Sequence, residues 1–178
     1  MDSQDEQEWI QQSRAGNGAA FARLVERYQR MIHALTFRMT GSQADAEDLA
    51  QEVFVQAYQQ LRSYRAEAKF SSWLYRIGIN RCLNWQKKSA RREQAHVDWG
   101  DEQRADSPPS DMAEKVQHAL LQLDPKQRAA IILTVYEEMN HAEAARILGC
   151  SETTVSWRIF MARNKLKRWL QNDKETKL

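Results

Sequence analysis

The chain has 178 residues, 42% of them hydrophobic and 28% charged, with 26 Lys and Arg against 24 Asp and Glu. This composition excludes a wholly disordered chain, and the length allows one domain or two small ones. Six glycines and three prolines are too few for the many turns of a β-sandwich and favour helices joined by short loops.

The apolar residues recur at i, i+3, i+4 and i+7, which predicts helices in chain order. The first covers about Asp5–Ala15 and ends at Gly16-Asn17-Gly18, a C-cap signal. The second runs from about Ala19 to Met39, with Phe21, Leu24, Val25, Tyr28, Ile32 and Leu35 on its apolar side, and stops before Gly41. The third, about Gln43–Leu61, sets Leu49, Val53, Ala57 and Leu61 in one ladder with Phe54 and Tyr58 beside it. A polar stretch, Ser63–Lys69, precedes the fourth, about Ser71–Lys88. From Ser89 to Asp111 apolar periodicity is lost and Pro108-Pro109 intervenes, which reads as a linker. Four further helices follow at about Met112–Leu123, Pro125–Met139, His141–Leu148 and Glu152–Leu170. Pro125 suits a first turn with Asp124 as N-cap, and Ser151 caps the last helix.

The expected fold is therefore all-α: two small helical domains, residues 1–90 and 112–178, joined by a flexible acidic linker over 91–111. The linker carries 3 cationic and 6 acidic residues, against 12 and 10 before it and 11 and 8 after it. No run approaches the roughly 20 apolar residues of a membrane span. The acidic N-terminus MDSQDEQEWIQQ is unlike a signal peptide, so a cytoplasmic protein without membrane insertion is expected. Cys82 and Cys150 form no CxxC, and His33, His96, His118 and His141 are scattered, so neither a metal site nor a cofactor is expected.

The segment HAEAARILGCSETTVSWRIFMARNKLKR has the spacing of a helix-turn-helix: Ala145 at the crossing, Gly149 in the turn, Val155 anchoring the second helix. An ordinary helical hairpin is the alternative. Counting 100° per residue from Val155 puts Ile159, Ala162, Leu166, Trp169 and Leu170 on the core face. Thr153, Trp157, Phe160 and Met161 then point away, with Ser156 at the edge. From Arg158 to Arg168 there are five cations and no anion, the footprint of phosphate contact, although a solvated helix end also favours cations.

Two faces in the first half stand out. Asp48, Gln51, Glu52 and Val55 lie together, away from the Leu49/Val53/Ala57 ladder, as an acidic and amidic stripe with an apolar neighbour, suited to an interface. The stretch Ser63–Trp73 mixes Tyr64, Phe70 and Trp73 with Arg65 and Lys69, and the next helix adds Tyr75, Arg76, Asn80, Arg81, Lys87 and Lys88. Aromatics interleaved with cations suit unpaired nucleic acid, where rings stack on bases and cations hold the backbone. Phe70 and Trp73 also fit a core, and Ile77 is expected in it; Asn80 and the Ser63–Lys69 loop are the better candidates for base contact.

Taken together, Ala20-Phe21, DAEDLAQEVF (Asp45–Phe54), FSSWLYRIGINRCLNW (Phe70–Trp85), LDPKQR (Leu123–Arg128) and EAARILGCSETTVSWRIFMARNKL (Glu143–Leu166) resemble one family. It is the extracytoplasmic-function, or group IV, sigma factors of the sigma-70 family, the two-domain initiation factors of bacterial RNA polymerase. The resemblance implies that residues 1–90 bind core polymerase and recognise and melt the promoter −10 element, while 112–178 dock the −35 element. The polymerase-binding residues would be Asp48, Gln51, Glu52 and Val55, against a coiled coil of the largest polymerase subunit. The −10 residues would be Tyr64, Lys69, Phe70, Ser71, Trp73, Arg76 and Asn80, and the −35 residues Thr153, Thr154, Ser156, Trp157, Arg158, Met161 and Arg163. It further implies no catalysis, an anti-sigma partner, and a linker that threads toward the polymerase active centre. The sequence departs from the family pattern where Thr153, Ser156, Trp157 and Met161 occupy the glycine, lysine, serine and arginine places of the recognition helix, while Arg158, Ala162 and Arg163 match. A thymine methyl, the polymerase flap or an anti-sigma helix would each suit Trp157. Two other functions compete: a sigma-mimicking adaptor, which would not need the basic helix, and a ligand-binding repressor, which has no reason to carry the first-half motifs.

Overall fold

A computed structural model describes residues 2–96 and 112–175, with side chains over 4–92 and 112–169. Among the described residues all regular elements are helical. They are α1 (Asp2–Arg14), α2 (Gly18–Thr40), α3 (Gln43–Gln60), α4 (Phe70–His96), α5 (Met112–Leu121), α6 (Pro125–Ile131), α7 (His141–Leu148) and α8 (Glu152–Glu175). The chain divides into two compact units, Met1–Phe37 with Ser42–Arg81, and Arg38–Gly41 with Cys82–Leu178.

In the first unit, local polar groups set the helix starts. The Asn17 side chain accepts from the Ala19 and Ala20 amides at 3.0 and 3.2 Å, so Asn17, just before α2, caps it. Ser42 caps α3 through the Asp45 amide at 3.3 Å. The periodic apolar faces then meet: Ile10, Leu24, Ile32, Val53, Phe54, Ala57, Leu61, Phe70, Leu74 and Ile77 form one buried cluster. Thr36, fully buried on α2, has its hydroxyl 2.9 Å from the Ala46 carbonyl of α3 and so joins the two helices through a polar contact. Gly78 lets α4 approach α2, since a Cβ there would stand 2.7 Å from Leu35 Cδ2. Arg14 Nε donates to the Leu61 carbonyl at 3.2 Å, a second donor beside the Tyr64 amide, and so ties α1 to the chain just past the end of α3.

Two expectations need correction. The fourth helix does not stop at Lys88 but continues to His96, so residues 91–96 are helical instead of flexible tether. The segment Ala90–Ala95 lacks apolar periodicity but is made of good helix formers without a breaker, so intrinsic propensity carries the helix on. Residues 97–111, including Pro108-Pro109, lie outside the described residues. The sixth helix does not run unbroken to Met139: α6 ends at Ile131, and Ile132–Tyr136 is a π-helical turn closed by the Glu137 amide on the Ile132 carbonyl at 3.2 Å. Ile131, Ile132, Thr134 and Val135 are β-branched and weaken helix continuation without the glycine or proline that would have marked it.

In the second unit, α8 packs against α6 and α7. Arg128, only 5% exposed, binds the end of α5: Nε donates to Leu120 O at 2.8 Å and Nη2 to Leu121 O and Leu123 O at 2.7 and 3.1 Å. These bonds satisfy carbonyls that a helix end leaves without partners, and charge assistance makes them strong. Asn140 and Glu143 form a capping box on α7, which ends at Gly149 in the left-handed region, φ 61°. Nothing lies within 4 Å of a Cβ built on Gly149, so the requirement for glycine there is conformational alone. Gly149→Ala should therefore destabilise the α7–α8 turn by about 1 kcal/mol, with Gly149→Asn less harmful. Hydrogen exchange of the α7 and α8 amides in the full chain checks this, and equal protection in Ala, Asn and Gly forms would refute it.

Candidate nucleic-acid interface

On α3 the core takes Ala46, Leu49, Ala50, Val53, Phe54 and Ala57, which turns Asp48, Gln51, Glu52 and Val55 to solvent. Val55 is 56% exposed, an uncovered apolar side chain within the polar stripe. Glu52 is not isolated: Arg81 of α4 reaches its carboxylate at 3.3 Å and also donates to the Gln56 side chain. A pair this exposed contributes about 0–1 kcal/mol, so it orients Glu52 more than it stabilises the fold. Arg81, grouped by sequence with the nucleic-acid cations, is thus a neighbour of the α3 stripe. Tyr58, beside the stripe, is 42% exposed and packs edge-on to Phe21 at 4.9 Å.

The aromatic loop divides differently from its sequence reading. Phe70 and Tyr64 are 1% and 6% exposed and belong to the core, so neither offers a free face for base stacking. Phe70 packs against Tyr28, Tyr64 and Trp73, and Tyr64 against Trp73, with tilted or edge-on rings at centroid distances of 5.3 to 5.6 Å. Burial raises the Tyr64 phenol above its ordinary pKa, and its hydroxyl donates to the Ala68 carbonyl at 2.7 Å, closing the loop back on itself. Tyr75 is buried as well. The aromatic cluster is therefore the platform beneath the loop, while Arg65, Ala66, Glu67, Ala68 and Lys69 form the exposed rim. Trp73 and Ser71 are half-buried, and Arg76 and Asn80 are exposed. Lys69, Trp73, Arg76 and Asn80 follow one another at helical spacing and present one side. Ile77 is buried, as its position in the periodic pattern requires.

The second unit presents α8. Val155, Ile159 and Ala162 are buried, and Leu166 and Trp169 half-buried, leaving Trp157 and Phe160 at 56% and 61% exposure. Thr153, Ser156 and Arg163 are exposed; Thr154, Arg158 and Met161 are half-buried. Three of these side chains already have partners within the motif. Thr154 contributes to the cap, with its hydroxyl 2.8 Å from Ser151 Oγ; Ser156 donates to the Glu152 carbonyl at 3.0 Å; Arg158 lies 3.5 Å from Cys150 Sγ. Behind the aromatic pair, Arg163, Lys165, Lys167 and Arg168 are all exposed. Sequence reasoning passed over His141, whose Nδ1 stands 2.9 Å from Ser156 Oγ, because the contact crosses the turn and leaves no spacing signal. Phe160 was placed on the outer face but not among the contact residues, although it is the most exposed aromatic of the helix.

Among the described residues no group of three His, Cys, Asp or Glu could hold a metal ion, and no helix is long and apolar enough to cross a membrane. Burial pushes the Cys82 thiol up to about 12, so that buried sulfur stays protonated near neutral pH.

Residues 24–92 match the model of sigma-70 region 2, and residues 113–166 that of sigma-70 region 4. The RNA polymerase sigma-H factor of Pseudomonas aeruginosa is 32% identical, with 96% of each chain covered. The ECF RNA polymerase sigma factor SigW of Bacillus subtilis is also 32% identical, over 92% of this chain and 95% of its own. Among solved structures, the sigma factor RpoE in complex with the anti-sigma factor NepR, from Bartonella quintana, is similar with a TM-score of 0.71 and 27% identity over 85% of this chain and 96% of that one. Matching models in both halves and relatives that extend over nearly the whole chain lead to one conclusion: the chain belongs to the sigma-70 family of transcription initiation factors, in its extracytoplasmic-function class.

Proposed function

We propose that this chain binds core RNA polymerase through α3, holds the melted −10 element on the rim above the aromatic cluster, and docks α8 in the −35 major groove. The observation that carries the reading is the outer side of α8, a capped second helix of a helix-turn-helix whose exposed cations Arg163, Lys165, Lys167 and Arg168 have no acidic neighbour between them. A duplex backbone is the partner that such a helix fits. The chain itself then performs no chemistry: its work is binding energy, spent on positioning the polymerase and on holding an open strand.

On α3 the acidic and amidic stripe steers a basic partner while Val55 supplies apolar contact. At the −10 element, Lys69 and Arg76 hold the backbone and Asn80 offers amide groups to an exposed base edge. Tyr64 and Phe70 act from below, fixing the rim. Unstacking costs a few kcal/mol per base, and a preformed rim lowers the ordering cost of capturing the strand. Cytoplasmic action and control by an anti-sigma factor belong to the same reading. The similarity to RpoE, solved with NepR, supports that control. Met112 and Val116, 72% and 42% exposed on α5, give an apolar partner something to cover.

Asp48→Lys tests the α3 assignment more cleanly than a change at Glu52, whose carboxylate also pairs with Arg81. It should weaken core association about tenfold, with the helical circular dichroism unchanged; undiminished core affinity in a folded variant would refute the assignment. For the −10 rim, Lys69→Ala combined with Asn80→Ala should abolish thymine reactivity in permanganate footprinting while duplex binding persists. Full reactivity in the double variant would leave the loop a mere connection.

A further inference from the structure

Along the first two turns of α8 the polar side chains are largely occupied within the motif. The Thr154 hydroxyl completes the cap with Ser151, the Ser156 proton goes to the Glu152 carbonyl, and Arg158 is half-buried beside Cys150. Besides Ser156, whose hydroxyl is engaged, what faces outward from 153 to 160 is Thr153 and two aromatic rings, Trp157 and Phe160, three residues apart and both more than half exposed. Two large rings left in water on one side of a helix call for a cover. Four exposed cations, Arg163, Lys165, Lys167 and Arg168, continue the same helix, so the cover must be polyanionic along one part and apolar at the other. An apolar groove on a protein partner meets the second requirement without the first. A DNA major groove meets both, because its edges carry the phosphates and its floor carries one prominent apolar group, the C5-methyl of thymine. Against any other base edge the Phe160 ring would remove water from donors and acceptors that it cannot replace.

We propose that Trp157 and Phe160 read thymine methyl groups, so that the −35 preference of this chain depends on methyls more than on hydrogen bonds. The proposal rests on the docking of α8 in the −35 element described above. The indole N–H adds a single donor, and Arg163 and the lysines supply affinity without regard to sequence.

The test uses the full chain bound to core polymerase and promoter duplexes randomised across the −35 segment. Each thymine of the enriched −35 sequence is then replaced by deoxyuridine, which removes the methyl and keeps every hydrogen-bonding group. Affinity should fall about fourfold for each methyl that a ring covers. Trp157→Ser and Phe160→Ser, both at exposed positions and checked by circular dichroism, should each lose the thymine-to-uracil difference at the position that the missing ring covered and keep it at the other. Arg163→Ala should weaken both duplexes alike, flatten the salt dependence and keep the thymine-to-uracil ratio of the unaltered protein. Equal binding of the two duplexes by the unaltered protein would overturn the methyl reading while leaving −35 docking intact. So would an unchanged thymine-to-uracil ratio in both serine variants. If no −35 sequence is enriched at all although core binding persists, the docking of α8 fails and the methyl reading fails with it.

Discussion

A helix of 3.6 residues per turn can bury only one side in a small bundle, and that single constraint decides which residues of this protein are left available to a partner. On α3 the buried set Leu49, Ala50, Val53, Phe54 and Ala57 turns Asp48, Gln51, Glu52 and Val55 outward. On α4, burial of Phe70, Leu74 and Ile77 leaves Arg76 and Asn80 exposed. On α8, Val155, Ile159 and Ala162 anchor the helix and leave Trp157, Phe160 and Arg163 free of the core. Each proposed binding surface is the remainder of a packing solution. Substitutions on these outer faces should therefore alter partners more than folding.

The polar groups that join helices or cap their ends have a complementary role. Arg128 ties down the end of α5, Thr36 links α2 to α3, and Asn17, Ser42, Asn140 and Ser151 each fix a helix start. Such contacts contribute about 1 kcal/mol apiece, small beside the apolar clusters, but they are directional where apolar contact is not. They fix the angles at which the outer faces are presented. The Ser151 and Thr154 cap does so for α8, and Tyr64 does so for the loop by closing onto Ala68.

Much of this was legible in the sequence because periodicity is a local property. The helices, the α3 stripe, the core positions Val155, Ile159 and Ala162 of α8 and the Gly149 turn all follow from spacing, while the side chain of Leu170, expected on the same core face, lies outside the described residues. What escaped was whatever depends on contacts distant in sequence. Tyr64 sits in a stretch rich in cations and polar residues, which suggested exposure, and Phe70 fitted either a core or a base contact until Tyr28, on α2, packed against it. Arg81 was grouped with the cations of its own helix, while its partners, Glu52 and Gln56, lie on α3. The extension of α4 to His96 went unseen because Ala90–Ala95 carries no apolar periodicity, and the π turn after Ile131 because β-branched crowding has no punctuation of its own.

The central claim is that these separate outer faces serve one task, directing polymerase to a promoter. Run-off transcription with the purified full chain, core polymerase and a library of promoter fragments tests it most directly. The account predicts transcripts that require the chain and begin at a fixed distance downstream of a shared two-part sequence. Core polymerase that binds the folded chain yet gives no such transcripts, or the same transcripts with and without it, would contradict the account.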